Sequence, residues 1–368
     1  MSKSISLGVI LALAACGPMV DEAELREAIP VDRFSELEIV SDEVTIDART
    51  RNTGRGPWSF ARALGDVEAQ RASATADSFL QAWQGASVRS DEVRCLWLAA
   101  DVRNQCNVDC SVCSHRDLHF DSAPFRLIAI SNRLDLRRHP DSPTGEARLV
   151  FGLTSGAADR GAAPLGLTVI FEYALCADVA SEVWAHRFHA LGSLKGDDYL
   201  RALETLTRDF AKPMQLSQVR VLSQLQDRGA FAELTVADGW QARGLRNSPN
   251  RSQNGSNALS AYVKQNQSAI TSDANVMSES MRAKTLGLGE SKWEVPQVDE
   301  SVRRAFALGT CDGCHGQEVR TLDGGFHISP FRQGRERLSP FLHNRNGNLS
   351  DELARREDAM RALLATGR

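Results

Sequence analysis

Phe125-Arg126-Leu127-Ile128-Ala129-Ile130-Ser131-Asn132-Arg133-Leu134-Asp135-Leu136 is the stretch that decides the fold. It is long, apolar and partly alternating, which reads as a β-strand. A turn-rich segment, His139-Pro140-Asp141-Ser142-Pro143-Thr144-Gly145, follows, and Ala147–Leu153 reads as the returning strand. After the glycine-bounded Gly156–Gly166 comes a third, Leu167–Leu175. Strands joined by short or medium loops predict an antiparallel meander. Their near-continuous apolar runs predict cover on both faces. Leu216–Leu222 and Phe231–Val236 add two more strands, joined through Gln226-Asp227-Arg228-Gly229.

Working outward, Phe60, Leu64, Val67, Phe79 and Trp83 recur at helical spacing within Trp58–Trp83, and Ala177–Lys212 reads as two helices. Ala258–Ile270 and Asn275–Leu286 are also expected to be helical, whereas residues 37–60 look extended, with Leu37–Val40 and Val44–Asp47 weakly alternating. His186 and His189 stand at i, i+3 but lack a telling carboxylate partner, so both are read as structural.

The chain has 368 residues, 42% of them hydrophobic and 24% charged, with a net charge of −4 and a pI near 6.1. That balance excludes broad nucleic-acid affinity. No internal run approaches the ~20 apolar residues of a membrane span. At the N-terminus, Lys3 precedes an apolar stretch from Ile5 to Ala15 that ends Leu13-Ala14-Ala15-Cys16-Gly17. This reads as a secretory signal ending in a lipobox, with Cys16 exposed by cleavage and acylated. Acyl chains on Cys16 would anchor the protein to a lipid membrane. Export to the periplasmic side or the outer membrane is expected.

Near the other end stands Thr310-Cys311-Asp312-Gly313-Cys314-His315-Gly316. Cys-x-x-Cys-His is the attachment signature of a c-type haem. On a helical turn Cys311, Cys314 and His315 share a face, giving a flat macrocycle two edge anchors and one nitrogen over its centre. An exported chain is where such a group is expected, so covalent haem c is the predicted cofactor. The alternative is a Cys311–Cys314 disulfide in a non-haem surface or binding lipoprotein. A helix over Val298–Gly309 is expected to run straight into Cys311, with Gly309, Gly313 and Gly316 allowing close approach. His327, in the glycine-hinged loop Asp323–Pro330, is the first candidate for a second axial ligand, ahead of His343 and Met360 and then Met277 or Met281. Arg320, Arg332, Arg335 and Arg337 are candidate partners for haem propionates. Helix, haem loop and a closing helix near the C-terminus resemble a minimal cytochrome c domain.

Besides Cys16 and the motif pair, five cysteines remain: Cys95, Cys106, Cys110, Cys113 and Cys176. After export, disulfides are the default, and an odd number leaves at least one thiol free. Cys106, Cys110 and Cys113 with His115 or His119 could hold zinc, but a stapled loop is the simpler reading. No Ser-His-Asp set, P-loop or zinc-hydrolase helix is present, so no enzyme activity is assigned. Single-haem peroxidase-like chemistry stays open only if the far side of the iron is empty.

The pattern resembles a group of uncharacterised exported bacterial lipoproteins with one C-terminal Cys-x-x-Cys-His. The matching pieces are Gly56–Phe60, Ala123–Leu136, Ala147–Gly152, Phe171–Leu175 and Leu308–Gly316 with His327 downstream. Cys106–Cys113 lies outside the shared pattern. The resemblance implies architecture and export rather than a named activity. The expected fold class is therefore α+β, an antiparallel sheet with covering helices followed by a small all-α cytochrome c-like module. The expected division is a signal peptide over 1–16, a tether over 17–36, an α+β domain over 37–295 and the haem module over 296–368. Electron transfer or redox sensing, with a redox partner protein, is the function this organisation suggests.

Overall fold

The computed structural model describes residues 29–71, 75–85, 90–103, 106, 117–139, 142–225, 230–236, 238–272, 274–284, 286–287, 292–316, 318–319, 321–343 and 352–366. Its frame is an antiparallel meander: β1 (Glu38–Ile39), β2 (Phe125–Arg133), β3 (Glu146–Thr154), β4 (Pro164–Ala174), β5 (Leu216–Ser223), β6 (Ala230–Val236) and β7 (Trp240–Arg243), each paired with the next. A short β8 (Leu286–Gly287) pairs with β6 off this path. The central strands fall where alternation and apolar runs predict them.

Period-2 alternation sorts the side chains of the sheet into two layers. Leu149, Phe151, Val169, Phe171, Val219 and Val221 form one buried face. Helices α1 (Asp42–Thr45), α2 (Phe60–Gln70), α3 (Ala76–Gly85) and α4 (Ser90–Ala100) come between β1 and β2. At the centre of that face Phe60 stacks on Phe125 at 4.2 Å and meets Phe151 and Phe171 edge-on. Ser59 caps α2, its Oγ accepting from Arg62 N–H. Asn52 pins the preceding loop to the start of β2 by donating to the carbonyls of Ala123 and Phe125 and accepting from Ala61 N–H. The helices α5 (Ser181–His189) and α6 (Gly196–Phe210) carry the β4–β5 crossing.

Two local expectations fail and a third holds with a break. Val44–Asp47 is not extended: a short helix starts after Ser41, with Asp42 and Glu43 in its first turn where acids are favoured. Asn275–Leu286 is not a helix beyond the turn Glu279–Met281. Its backbone groups go to neighbours instead, Met277 N–H to Asn247 Oδ1 and Met277 O to Arg282 Nε–H. Ala258–Ile270 is broken at Asn266 into α7 (Asn257–Gln265) and α8 (Gln267–Thr271).

The chain after Pro296 does not form a core of its own. In α9 (Glu300–Gly309), Val302 and Phe306 pack with Leu259, Val263 and Trp293. In α11 (Glu352–Thr366), Leu353, Met360, Leu363 and Leu364 join the main core beneath β1 and α5. The α+β sheet protein is present, but the separate all-α cytochrome c-like module expected over 296–368 is not shown. The physical reason is size: two helices of ten and fifteen residues have too little apolar surface to bury against each other, so each docks on the body. Of the expected tether, residues 29–36 are docked too, with Ile29 buried and Arg33 paired to Glu357 at 2.5 Å. Residues 1–28, with Cys16, lie outside the described residues. Among the described residues no helix is long and apolar enough to cross a membrane.

Candidate functional site

The helix leading to the motif stops one residue short of it. α9 ends at Gly309, and Thr310 is extended. Thr310 then caps the single turn α10 (Cys311–Cys314), its Oγ1 accepting from Gly313 N–H at 3.1 Å. The expected continuous helix into Cys311 is therefore broken, yet the shared face survives because His315 N–H closes the turn onto Cys311 O at 2.9 Å. The turn is held from outside. Cys311 N–H donates to Ser248 Oγ at 2.8 Å, and Trp293 Nε1–H reaches both Thr310 Oγ1 and Asp312 Oδ1 at 2.9 Å. Arg251 pairs with Asp312 at 2.9 Å and lies over the Trp293 ring. Gly313 is required by packing against the chain itself: a Cβ there would sit 2.1 Å from Ala307 O.

Cys311, Cys314, His315 and His327 all line one cavity of about 470 Å³. That lies within the ~300–1,000 Å³ of small-molecule and cofactor pockets. Close-packed interiors do not leave spaces of this size by chance. His315 Nδ1 lies 2.7 Å from Gly325 O. A carbonyl only accepts, so Nδ1 carries the hydrogen and Nε2 keeps its lone pair. Anchoring one imidazole nitrogen on a carbonyl is how metal-binding histidines are oriented. His327 sits 3.0 Å from Ser339 Oγ through Nδ1 and 3.2 Å from Cys314 Sγ through Nε2. The His315 and His327 rings are 4.4 Å apart between centroids, tilted by 55°. Phe231 and Phe341 close on these rings at 5.2 and 5.1 Å.

Burial sets the protonation states. It pushes the Cys311 thiol well above its ordinary range and Cys314 up to about 12, and both are free thiols. It pulls His315 down to about 4 against the opposing Gly325 hydrogen bond, helped by the charges of Arg220 and Arg148. It pulls His327 well below its usual value, with His315 adding to the effect. Neutral imidazole is the ligating form.

The cavity floor was not anticipated. It is the second face of the sheet, where Arg148, Val150, Ile170, Arg220, Leu222 and Phe231 line the space. Behind the guanidiniums lie fully buried carboxylates. Arg148 meets Glu146 at 2.5 Å and Glu172 at 3.2 Å, and Arg220 meets Glu172 at 3.1 Å and Glu233 at 3.0 Å. The lattice continues to the C-terminal helix, where Arg356 pairs with Glu38 at 2.8 Å. The signal in the sequence was charge at period 2 inside apolar strands, as in Glu146-Ala147-Arg148-Leu149-Val150.

The other candidates lie elsewhere. His343 packs edge-on against Phe34, Met360 is core beside Asn132, and Met277 belongs to the second core. Arg332 pairs with Asp323, Arg335 covers the Phe34 ring and Arg337 is bound to Ile128 O, so none of these three lines the cavity; Arg320 lies outside the described residues. His189 pairs with Glu36 at 3.0 Å. Cys95 and Cys106 are disulfide-bonded and Cys176 is a free thiol, while Cys110, Cys113 and His115 lie outside the described residues. Among the described residues no group of three or more His, Cys, Asp or Glu is set to hold a bare metal ion. Neither a protein-family model, nor a curated protein, nor a solved structure matches this chain.

Proposed function

We propose that this chain is an exported, lipid-anchored protein that carries one covalent c-type haem on Cys311 and Cys314, with His315 as the proximal iron ligand. Its work is electron transfer or redox sensing with a partner protein. The observation that carries the reading is the shared cavity of the motif. Two thiols and an imidazole whose Nδ1 is committed to Gly325 O lie on one turn and line one space of cofactor size. The residues fit the group: thiols for thioether bonds, a lone pair for iron, aromatic walls for a macrocycle and guanidiniums for its carboxylates. The haem, when bound, supplies a one-electron couple.

The chain supplies the rest. Thr310, Ser248 and Trp293 hold the turn in register. Phe231, Phe326 and Phe341 line the cavity and would keep water from the group. His327, whose ring lies 4.4 Å from that of His315 between centroids, would give the iron a second imidazole once the two rings part to admit the macrocycle. Residues 296–368 act as a cytochrome c-like element docked on the body rather than as a free-standing unit. Acylated Cys16 holds the protein to a lipid membrane at the periplasmic side or in the outer membrane, and nucleic acid is not among its partners.

The test is the pyridine-haemochrome spectrum of denatured protein made with haem-maturation machinery. Haem should stay with the wild-type polypeptide and be lost from a Cys311→Ala, Cys314→Ala double variant. Haem-free wild-type protein, or covalent haem in the double variant, overturns the reading.

A further inference from the structure

We propose that Arg148 and Arg220 form the seat for the carboxylate groups of the macrocycle on the floor of the cavity. The inference rests on the haem reading above. Across the paired strands the floor is graded. Thr168, Leu222 and Phe231 make one cross-strand row, Val150 and Ile170 lie in the next with Arg220 beside Ile170, and Arg148 beside Glu172 follows one row further along the strands. A macrocycle with apolar faces and carboxylates along one edge has the same grading. The two guanidiniums are also held for the purpose. Their partners Glu146, Glu172 and Glu233 lie beneath them with no side-chain exposure, while Arg148 and Arg220 keep 13% and 18%. Each arginine spends its Nε on one carboxylate and one terminal nitrogen on another, which leaves its second terminal amino group outside these pairs. A fixed guanidinium with donors to spare is the group best matched to a carboxylate.

The test uses haem-loaded full-length protein and follows the reduction potential from pH 5 to 8. In the wild type the carboxylates should stay ionised and paired, so the potential should be flat, and the propionate bending bands of the resonance Raman spectrum should not move. Replacing a pair, Arg148→Gln with Glu146→Gln, removes one guanidinium and leaves Glu172 paired with Arg220, and Arg220→Gln with Glu233→Gln leaves Glu172 paired with Arg148. Each paired variant should keep its covalent haem and acquire a pH-dependent potential in this range. A wild-type protein with covalent haem whose potential and propionate bands already titrate between pH 5 and 8 overturns the seat while leaving the haem reading intact. So do paired variants that hold haem with a flat potential. Haem-free wild-type protein overturns both.

Discussion

His315 donates its Nδ1 hydrogen to the carbonyl oxygen of Gly325 across 2.7 Å. The acceptor is offered by a tight reversal in which Asp323, Gly324 and Gly325 all have positive φ and Leu322 and Phe326 exchange both backbone hydrogen bonds. Glycine adopts that backbone without the Cβ penalty. The same reversal brings Phe326 and His327 to the cavity, so one loop orients the His315 imidazole and supplies its ring neighbour.

His327→Ala should therefore leave covalent haem content unchanged but convert the optical spectrum from low-spin to high-spin. Absorption and electron paramagnetic resonance spectra of the two proteins check this. A low-spin His327→Ala protein would show that another group closes the iron.

Gly313→Ala should lose about 1–3 kcal/mol of stability through overpacking, because the new methyl group would meet the Ala307 carbonyl. Gly309→Ala meets nothing within 4 Å and should be neutral or slightly stabilising. Urea unfolding of the two variants separates close packing of the turn from a general need for glycine around the motif.

Arg356 and Glu38 form a pair in which the two side chains are only 6% and 1% exposed. Arg356→Ala should cost about 3–5 kcal/mol, because it leaves Glu38 charged and buried. Arg356→Met combined with Glu38→Gln should recover most of that loss. A double-mutant cycle by denaturant unfolding measures the coupling.

Burial alone would raise the carboxyl group of Glu172, but the charges of Arg148, Arg220 and Arg246 outweigh it and hold the group down to about 2 from the usual 4.5. A folded value below the unfolded one stabilises the protein fully above the unfolded value, and that contribution is lost as pH falls through the folded one. Thermal midpoints should accordingly be insensitive to Glu172 from pH 8 to about 5 and fall between roughly pH 4.5 and 2. Calorimetry of Glu172→Gln, which lacks the titrating group, should show a shallower acid decline than the wild type.

Cys16→Ala should abolish incorporation of labelled palmitate and shift the protein from the membrane to the soluble fraction. Unchanged labelling would remove the lipobox from the account.

The sheet was legible because its central strands are long, apolar and punctuated by glycine-rich turns. Phe125–Leu136, Ala147–Leu153 and Leu167–Leu175 become β2, β3 and β4 with small shifts at the ends. The turn that presents Cys311, Cys314 and His315 was legible because an i, i+3, i+4 spacing puts the three side chains on one face. Local signals misled where neighbours take up the backbone hydrogen bonds, as at Met277, or where acids in a first helical turn outweigh weak alternation, as at Asp42 and Glu43.

By itself, then, the sequence determined the meander, the turn that presents two thiols and an imidazole, and a glycine-hinged loop carrying His327. Each is set by residues close together in the chain, through strand period, capping and glycine's access to positive φ. Tertiary structure alone decided what the motif faces. The second face of the sheet, with Arg148 on β3 and Arg220 on β5, lies more than ninety residues before Cys311 in the chain. Only the pairing of β3, β4 and β5 brings Arg148, Glu172 and Arg220 into one lattice, and only the docking of α9 and α11 on the body closes the cavity above it. Burial and charge pairing depend on every chain segment that reaches the same point, which residues near in sequence do not specify.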